Sequence, residues 1–183
     1  RVEDLPRILH RAAKVALTPP TGPVFISLPG DILNAEAELD MGKPIRVDAR
    51  TRPTDEALER LASRLLAAQK LVMIAGHELS IHDAFAEATE LAEILGAAVY
   101  QQTVPYTAQF PSEHPAYLGA LTRSQKQVRA TLEPYDLALC LGADLLRMSV
   151  YSPVDPLPAG MPVIHISERD WELGKNHATE MAL

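Results

Sequence analysis

The sequence predicts an α/β fold: a Rossmann-like, doubly wound and mostly parallel sheet with helices on both faces. Three observations point there. After residue 54, short apolar runs alternate with longer amphipathic stretches, the order that packs as strands between helices. The run 71–75 is continuously apolar, as strands covered on both faces are, and 97–100, 136–141 and 163–166 are short and mostly apolar. Each run ends in small or polar residues: Gly76-His77-Glu78, Gln101-Gln102-Thr103, Gly142-Ala143-Asp144 and Ser167-Glu168-Arg169. Ligands of such sheets bind beyond those C-terminal strand ends.

In order along the chain, residues 4–17 read as an amphipathic helix with Leu5, Ile8, Leu9, Ala12 and Ala16 on one face. Asp4 is its expected cap, Pro6 sits in its first turn, and Pro19-Pro20 stops it. Residues 24–28, bounded by Pro and Gly, predict a buried strand. Residues 30–53 lack periodicity and read as a linker, with an edge strand expected near Ile45 and Val47. Thr54 is the expected N-cap of a helix whose stripe is Leu58, Leu61, Ala62, Leu65 and Leu66. The strand at 71–75 ends at Gly76. A single helix is expected over 80–95, with Ser80 and Asp83 at capping-box-like spacing and Gly96 as its C-terminal glycine. A strand at 97–100, a polar loop to His114, a helix at 124–132 and strands at 136–141 and 163–166 complete the pattern.

Composition narrows the function. Of 15 prolines, seven lie between Pro6 and Pro53 and eight between Pro105 and Pro162, so a helix-bearing core is flanked by a linker and a loop-rich half. No apolar run is long enough for a membrane span. The formal charge of −7 argues against nucleic acid as a partner. One cysteine, Cys140, builds neither an internal disulfide nor a metal site by itself, and a cytoplasmic setting is expected. The chain begins at Arg1, not at Met, which predicts a fragment of a longer protein.

The residue chemistry shows no complete active site. GxGxxG and the phosphate-cradling P-loop are both absent. His10, His77, His82, His114, His165 and His177 form no metal-binding spacing. His77 is expected to face solvent, and His165 to be packed within its strand. His114 stands out by lying in the long loop between Tyr100 and Tyr117. Cys140 reads as a buried thiol. Ser27, Ser112, Ser149 and Ser167 lack the GxSxG context of a nucleophile. Arg147 and Tyr151 follow a strand end, where an anion or carbonyl is one reading and a surface ion pair the other.

Five segments in order carry a resemblance: PTGPVFISLPGDIL (20–33), LVMIAGHELSIHDAFAEATELAEILGAAVYQQ (71–102), FPSEHPAYLGAL (110–121), DLALCLGADLLR (136–147) and VIHISERDWELGKN (163–176). Together they resemble thiamine-diphosphate-dependent enzymes of the acetolactate synthase and benzoylformate decarboxylase family. The resemblance implies a division into residues 1–33, the tail of a first, pyrimidine-binding domain; 34–53, a linker; and 54–183, a central domain. It also implies a 2-oxo acid substrate, thiamine diphosphate and Mg²⁺ as cofactors, and a homodimer or homotetramer. The activating glutamate and the Mg²⁺-binding GDG segment would belong to the first and third domains, which this sequence lacks. The isolated chain is therefore expected to be inactive.

Two departures from the family pattern count against FAD. GADLLRMSVYS stands where flavin-binding members carry a GARFDDR-like stretch, and Ile166-Ser167-Glu168-Arg169-Asp170 stands where IDxDP is usual. By matching, His114 in Glu113-His114-Pro115 takes the position of a histidine that works in proton transfer in benzoylformate decarboxylase-like enzymes, a task suited to imidazole. Two rivals stand beside this reading. One is a nucleotide- or FAD-binding module that uses strand-end positions near Gly76, Thr103 and Gly142. The other is a purely structural domain.

Overall fold

A computed structural model describes residues 1–48, 50–148 and 150–183. They form two compact units, Arg1–Arg52 and Pro53–Leu183.

In the first unit, a 3₁₀ turn (Val2–Asp4) leads into α1 (Leu5–Leu17), and a short α2 covers Gly30–Leu33. Asp4 stands at the α1 N-cap but caps nothing with its side chain; its carboxylate accepts from Arg7 at 2.9 Å. Pro6 lies in the first turn, and the helix ends at Thr18, just before Pro19. The expected strands at 24–28 and near Ile45 are not formed. Phe25 is 91% exposed, and Ile45 and Val47 are exposed too. A strand needs a neighbour to hydrogen-bond its backbone, and no strand exists among the described residues of this unit for either segment to join.

The second unit opens at Thr54, whose hydroxyl accepts from the Ala57 N–H and so caps α3 (Asp55–Leu66). Then come β1 (Leu71–Ala75), α4 (Glu78–Ile81), α5 (Phe85–Leu95), β2 (Ala98–Gln101), β3 (Tyr117–Ala120), α6 (Gln125–Leu132), β4 (Leu137–Leu141), β5 (Val163–Ile166) and β6 (Met181–Ala182). The strands form one sheet in the order β3-β2-β1-β4-β5-β6, with every neighbouring pair parallel. β1 and β4 lie at its centre, with Met73 opposite Leu139.

Alternation along β1 divides the core. Leu71, Met73 and Ala75 pack with Leu65 of α3 and Ala88 and Ala92 of α5. Val72 and Ile74 pack with Val128 and Leu132 of α6. Both faces of the sheet are thus covered, which is why β1 could be continuously apolar.

Two differences from the sequence expectation concern elements of this unit. The single helix over 80–95 is two: α4 starts straight after β1 and ends at His82, and Asp83 takes a left-handed φ of 51° before α5 begins. A short Asp side chain tolerates that conformation. Ser80 and Asp83 form no capping box; instead the Ser80 carbonyl accepts the Asp83 N–H. The second difference is β3, which lies between the loop expected to end at His114 and the helix expected from 124, where the sequence predicts no strand. It is an edge strand with Leu118 exposed and Gly119 in its middle, so its hydrophobic signal is faint. Gly96 terminates α5 in the left-handed conformation, as expected.

At Gly76, a Cβ would lie 2.1 Å from the Gly142 carbonyl oxygen and 2.2 Å from the Ala143 Cα. Backbone cannot yield there as a side-chain tip can. Gly76→Ala is expected to destabilise the second unit by about 3 kcal/mol, read as a lowered urea midpoint with an unchanged m-value.

Candidate functional site

Because the sheet is parallel, the C-terminal ends of its strands share one edge. There Gly76 N–H donates to the Leu141 carbonyl at 3.0 Å, Gly142 N–H to Ile166 at 2.8 Å, and Gln102 N–H to Ala75 at 3.0 Å. Gly76, Thr103 and Gly142 are all brought to this edge, and all three are buried. The space beside both glycines is filled by the protein itself. Gly142 has φ 60°, and a Cβ on it would meet the Cβ of Glu78 at 2.7 Å. Thr103 donates its hydroxyl to the Arg147 carbonyl at 3.3 Å.

Glu78 is the centre of the edge. It is 5% exposed, and its carboxylate accepts from the Ser167 hydroxyl (2.7 Å), the Glu168 N–H (3.0 Å) and Arg169 Nε (3.2 Å). Arg169 also donates through Nη2 to Asp144 Oδ1. Burial works against the Arg169 charge, but Asp144 and Glu78 outweigh it and hold the guanidinium more firmly protonated than usual. Asp144 in turn donates its N–H to the Gln102 side chain at 2.8 Å. Tyr106, from the loop after β2, receives a hydrogen bond from Arg147 and lies 3.4 Å from Asp144. His77 packs edge-on against Tyr106, with ring centroids 5.2 Å apart. It is half-buried, not turned fully to solvent, and its Nδ1 has no partner among the described residues.

Beside this network is a cleft of about 230 Å³ lined by Asp144, Leu145, Arg147, His165, Arg169, Glu172, Gly174, Lys175, Asn176 and His177. His165 is 1% exposed, as a packed strand residue should be. Its Nε2 lies 2.9 Å from the Ala143 carbonyl. Burial holds its pKa below the ordinary imidazole value, against the opposing pull of that bond and of Glu78 and Asp144. Burial likewise lowers His177, with Asp155 opposing. Cys140 is fully buried, and burial raises its thiol pKa far above the ordinary range, so it is inert.

His114 lies at the other edge of the sheet, by the start of β3. Its Nδ1 accepts from the Ala116 N–H at 3.2 Å, which leaves Nε2 to carry the proton toward Glu93 Oε1, also at 3.2 Å. Phe110 meets the ring edge-on at 5.4 Å. His114 is therefore not brought together with Gly76, Thr103 and Gly142. His82 pairs with Glu168 at 2.8 Å, Tyr151 is 91% exposed, and Ser167 serves Glu78 as a donor. Ser149 lies outside the described residues. Among the described residues, no three His, Cys, Asp or Glu side chains are grouped to hold a metal, and no helix is long and apolar enough to cross a membrane.

Sequence reasoning missed Glu78, Asp144 and Gln102 as members of one network. The only local signal was a carboxylate two residues after a strand-ending glycine; its partner Arg169 is 91 positions away.

Two predictions follow from the edge. Arg169→Ala would leave the buried carboxylates of Glu78 and Asp144 without their shared cation. It is expected to cost about 3 kcal/mol in urea unfolding, the penalty for stranding a buried charge. For acid, the signs run one way. The unfolded chain takes up protons at His165 and His177 near pH 6.5, and the folded chain resists until lower pH. Their stabilising contribution is present above about pH 6.5 and is lost as pH falls through the lowered folded values. The urea midpoint should therefore fall between pH 7.5 and pH 5, and His177→Gln should make that fall smaller.

Comparison with known proteins adds the context of this edge. Residues 58–183 match the family model described as "Thiamine pyrophosphate enzyme, central domain". Benzoylformate decarboxylase of Pseudomonas aeruginosa is 29% identical over 167 residues, covering 90% of this chain and 32% of that protein. Acetolactate synthase of Mycobacterium bovis is 25% identical over 185 residues, covering 99% of this chain and 30% of that protein. The solved thiamine diphosphate-dependent 4-hydroxybenzoylformate decarboxylase of Rhodococcus jostii RHA1 superposes with a TM-score of 0.82 at 30% identity, over 98% of this chain and 34% of its own. The chain thus spans about a third of the length of the relatives it matches.

Proposed function

Since the chain belongs to the thiamine pyrophosphate enzyme family and carries that family's central domain, we propose that it is part of a longer thiamine-diphosphate-dependent enzyme acting on 2-oxo acids. The observation that carries this reading is the similarity to benzoylformate decarboxylase along 90% of the chain. In this reading residues 1–33 end the first domain, 34–53 link it onward, and 54–183 are the central domain. The parent is a cytoplasmic homodimer or homotetramer that either decarboxylates its 2-oxo acid or joins the product to a second carbonyl.

Thiamine diphosphate, when bound, supplies the electron sink for that chemistry, and Mg²⁺ holds its diphosphate. The side chains described here do not fit that pair. The strand-end carboxylates Glu78 and Asp144 are already committed to Arg169, and no metal-ligand grouping accompanies them. We therefore assign both cofactors to the parent's other domains. Support for a flavin at the strand ends is weak for the same reason: the room beside Gly76 and Gly142 is taken by backbone and by Glu78.

The role of this domain is to space its neighbours and to present one loop, about 101–118. His114 is the residue of that loop we propose as a contributor to the active site. Its ring is fixed by the Ala116 N–H, while Nε2 faces a glutamate that is 68% exposed. Glu93 is the exposed partner of that contact and can swing into solvent, so Nε2 can exchange it for a reacting group. In the intact enzyme, His114→Ala is expected to lower kcat by about 100-fold, the usual scale of general acid-base help, and to remove one limb of the pH–rate profile. Unchanged kcat with an unchanged profile would make His114 a structural pin instead. The chain alone, given thiamine diphosphate, Mg²⁺ and benzoylformate, should release no carbon dioxide.

A further inference from the structure

The loop that leaves β2 returns to the core at Phe110. Pro105 to Ala108 are exposed, whereas Phe110 is 5% exposed and belongs to the core that includes Val99 of β2 and Ala88 and Ala92 of α5. Burial of so large a ring fastens this stretch of loop to the sheet. Phe110 in turn meets two other rings. That of Tyr117, the first residue of β3, is nearly parallel to it, at 17° with centroids 6.3 Å apart. That of His114 is nearly perpendicular, at 88° and 5.4 Å. Both are favoured aromatic geometries. The Tyr117 hydroxyl donates to Gln101 Oε1 at 2.8 Å, so Tyr117 is tied to β2 as well.

The other ties on His114 are short in range. Its N–H donates to the Pro111 carbonyl and its carbonyl accepts from the Tyr117 N–H, which sets the backbone of the turn. The Ala116 N–H reaches Nδ1 at 3.2 Å, the long end for such a bond, from two residues along the same turn. Glu93, which faces Nε2, is 68% exposed. The His114 side chain is 13% exposed, so its direction depends on what packs against it. Phe110 is the ring against it that is rooted in the core.

We propose that Phe110 is a positioning residue for His114. Its ring, steadied by the Tyr117 ring and by the Tyr117–Gln101 hydrogen bond, fixes the plane of the imidazole and hence the direction of Nε2. The proposal rests on the reading of His114 as an active-site contributor and adds to it the residues that act through His114. Phe110→Leu keeps apolar contact with the core but offers the imidazole no aromatic ring.

Two measurements on Phe110→Leu and Tyr117→Phe test this. In the full chain, ¹³C relaxation of the His114 Cε1–H and Cδ2–H bonds reports how firmly the ring is held. Both variants should show a looser ring, Phe110→Leu by more, while urea unfolding shows each chain to be folded. Tyr117→Phe removes one hydroxyl at a half-buried position, so it carries the test even where Phe110→Leu fails to fold. A ring as rigid in either folded variant as in the unchanged chain would overturn the proposal. In the intact enzyme, Phe110→Leu should lower kcat about tenfold at nearly unchanged KM, less than the loss expected for His114→Ala. Made on top of His114→Ala, it should lower kcat no further, because the two side chains act as one unit. An equal loss with and without His114 would overturn positioning, since a general structural defect does not need the imidazole. If His114→Ala alone leaves kcat unchanged, the active-site reading falls, and ring relaxation by itself decides whether Phe110 holds the imidazole.

Discussion

The carboxylate of Glu78 is buried at the point where β1, β4 and β5 end together, and a buried charge is tolerable only with its hydrogen bonds satisfied. Its acceptor sites are met from one direction, by Ser167, the Glu168 N–H and Arg169. Arg169 then reaches Asp144, whose N–H is received by Gln102. One ion thereby fastens the ends of β1, β4 and β5 and the exit of β2. The glycines are the steric condition for this. Gly76 lets the β1 end close on Ala143, and Gly142 leaves room for the Glu78 side chain.

This fastening governs what the edge can do. In an open parallel sheet, the strand ends are the usual place for a ligand. Here much of that place is taken by protein. What stays accessible is displaced toward β5, where the cleft carries an exposed Arg147 and Lys175 above the buried ring of His165. The opposite edge is built differently. His114 is held by a backbone N–H and an exposed glutamate, a loose arrangement compared with the buried ion network.

Much of the second unit was legible in the sequence. The strands at 71–75 and 163–166 were read to the residue, because a short, mostly apolar run closed by a turn-forming or polar residue has few other outcomes. The Thr54 cap and the Gly96 terminus were legible because both act within one turn of the chain. The same local logic misread residues 24–28, which are apolar enough for a strand but have none beside them in their unit. It also missed β3, whose strand character comes from pairing with β2 and hardly from its own residues. Of the site, the strand-end positions were legible from topology, but the Glu78–Arg169–Asp144 partnership was not.

The sequence by itself determined the central strands, the two-sided burial of the sheet and, through five motifs in series, the family. These are properties of periodicity and local chemistry. Only the tertiary structure decided that Glu78 is the buried hub, that Gly76 and Gly142 serve close packing, that His165 Nδ1 is buried without a partner among the described residues, and that His114 sits at the far edge. Each of these depends on which distant residue arrives alongside, and the free energy of a buried charge or ring is set by those neighbours and not by the residue's own position in the chain.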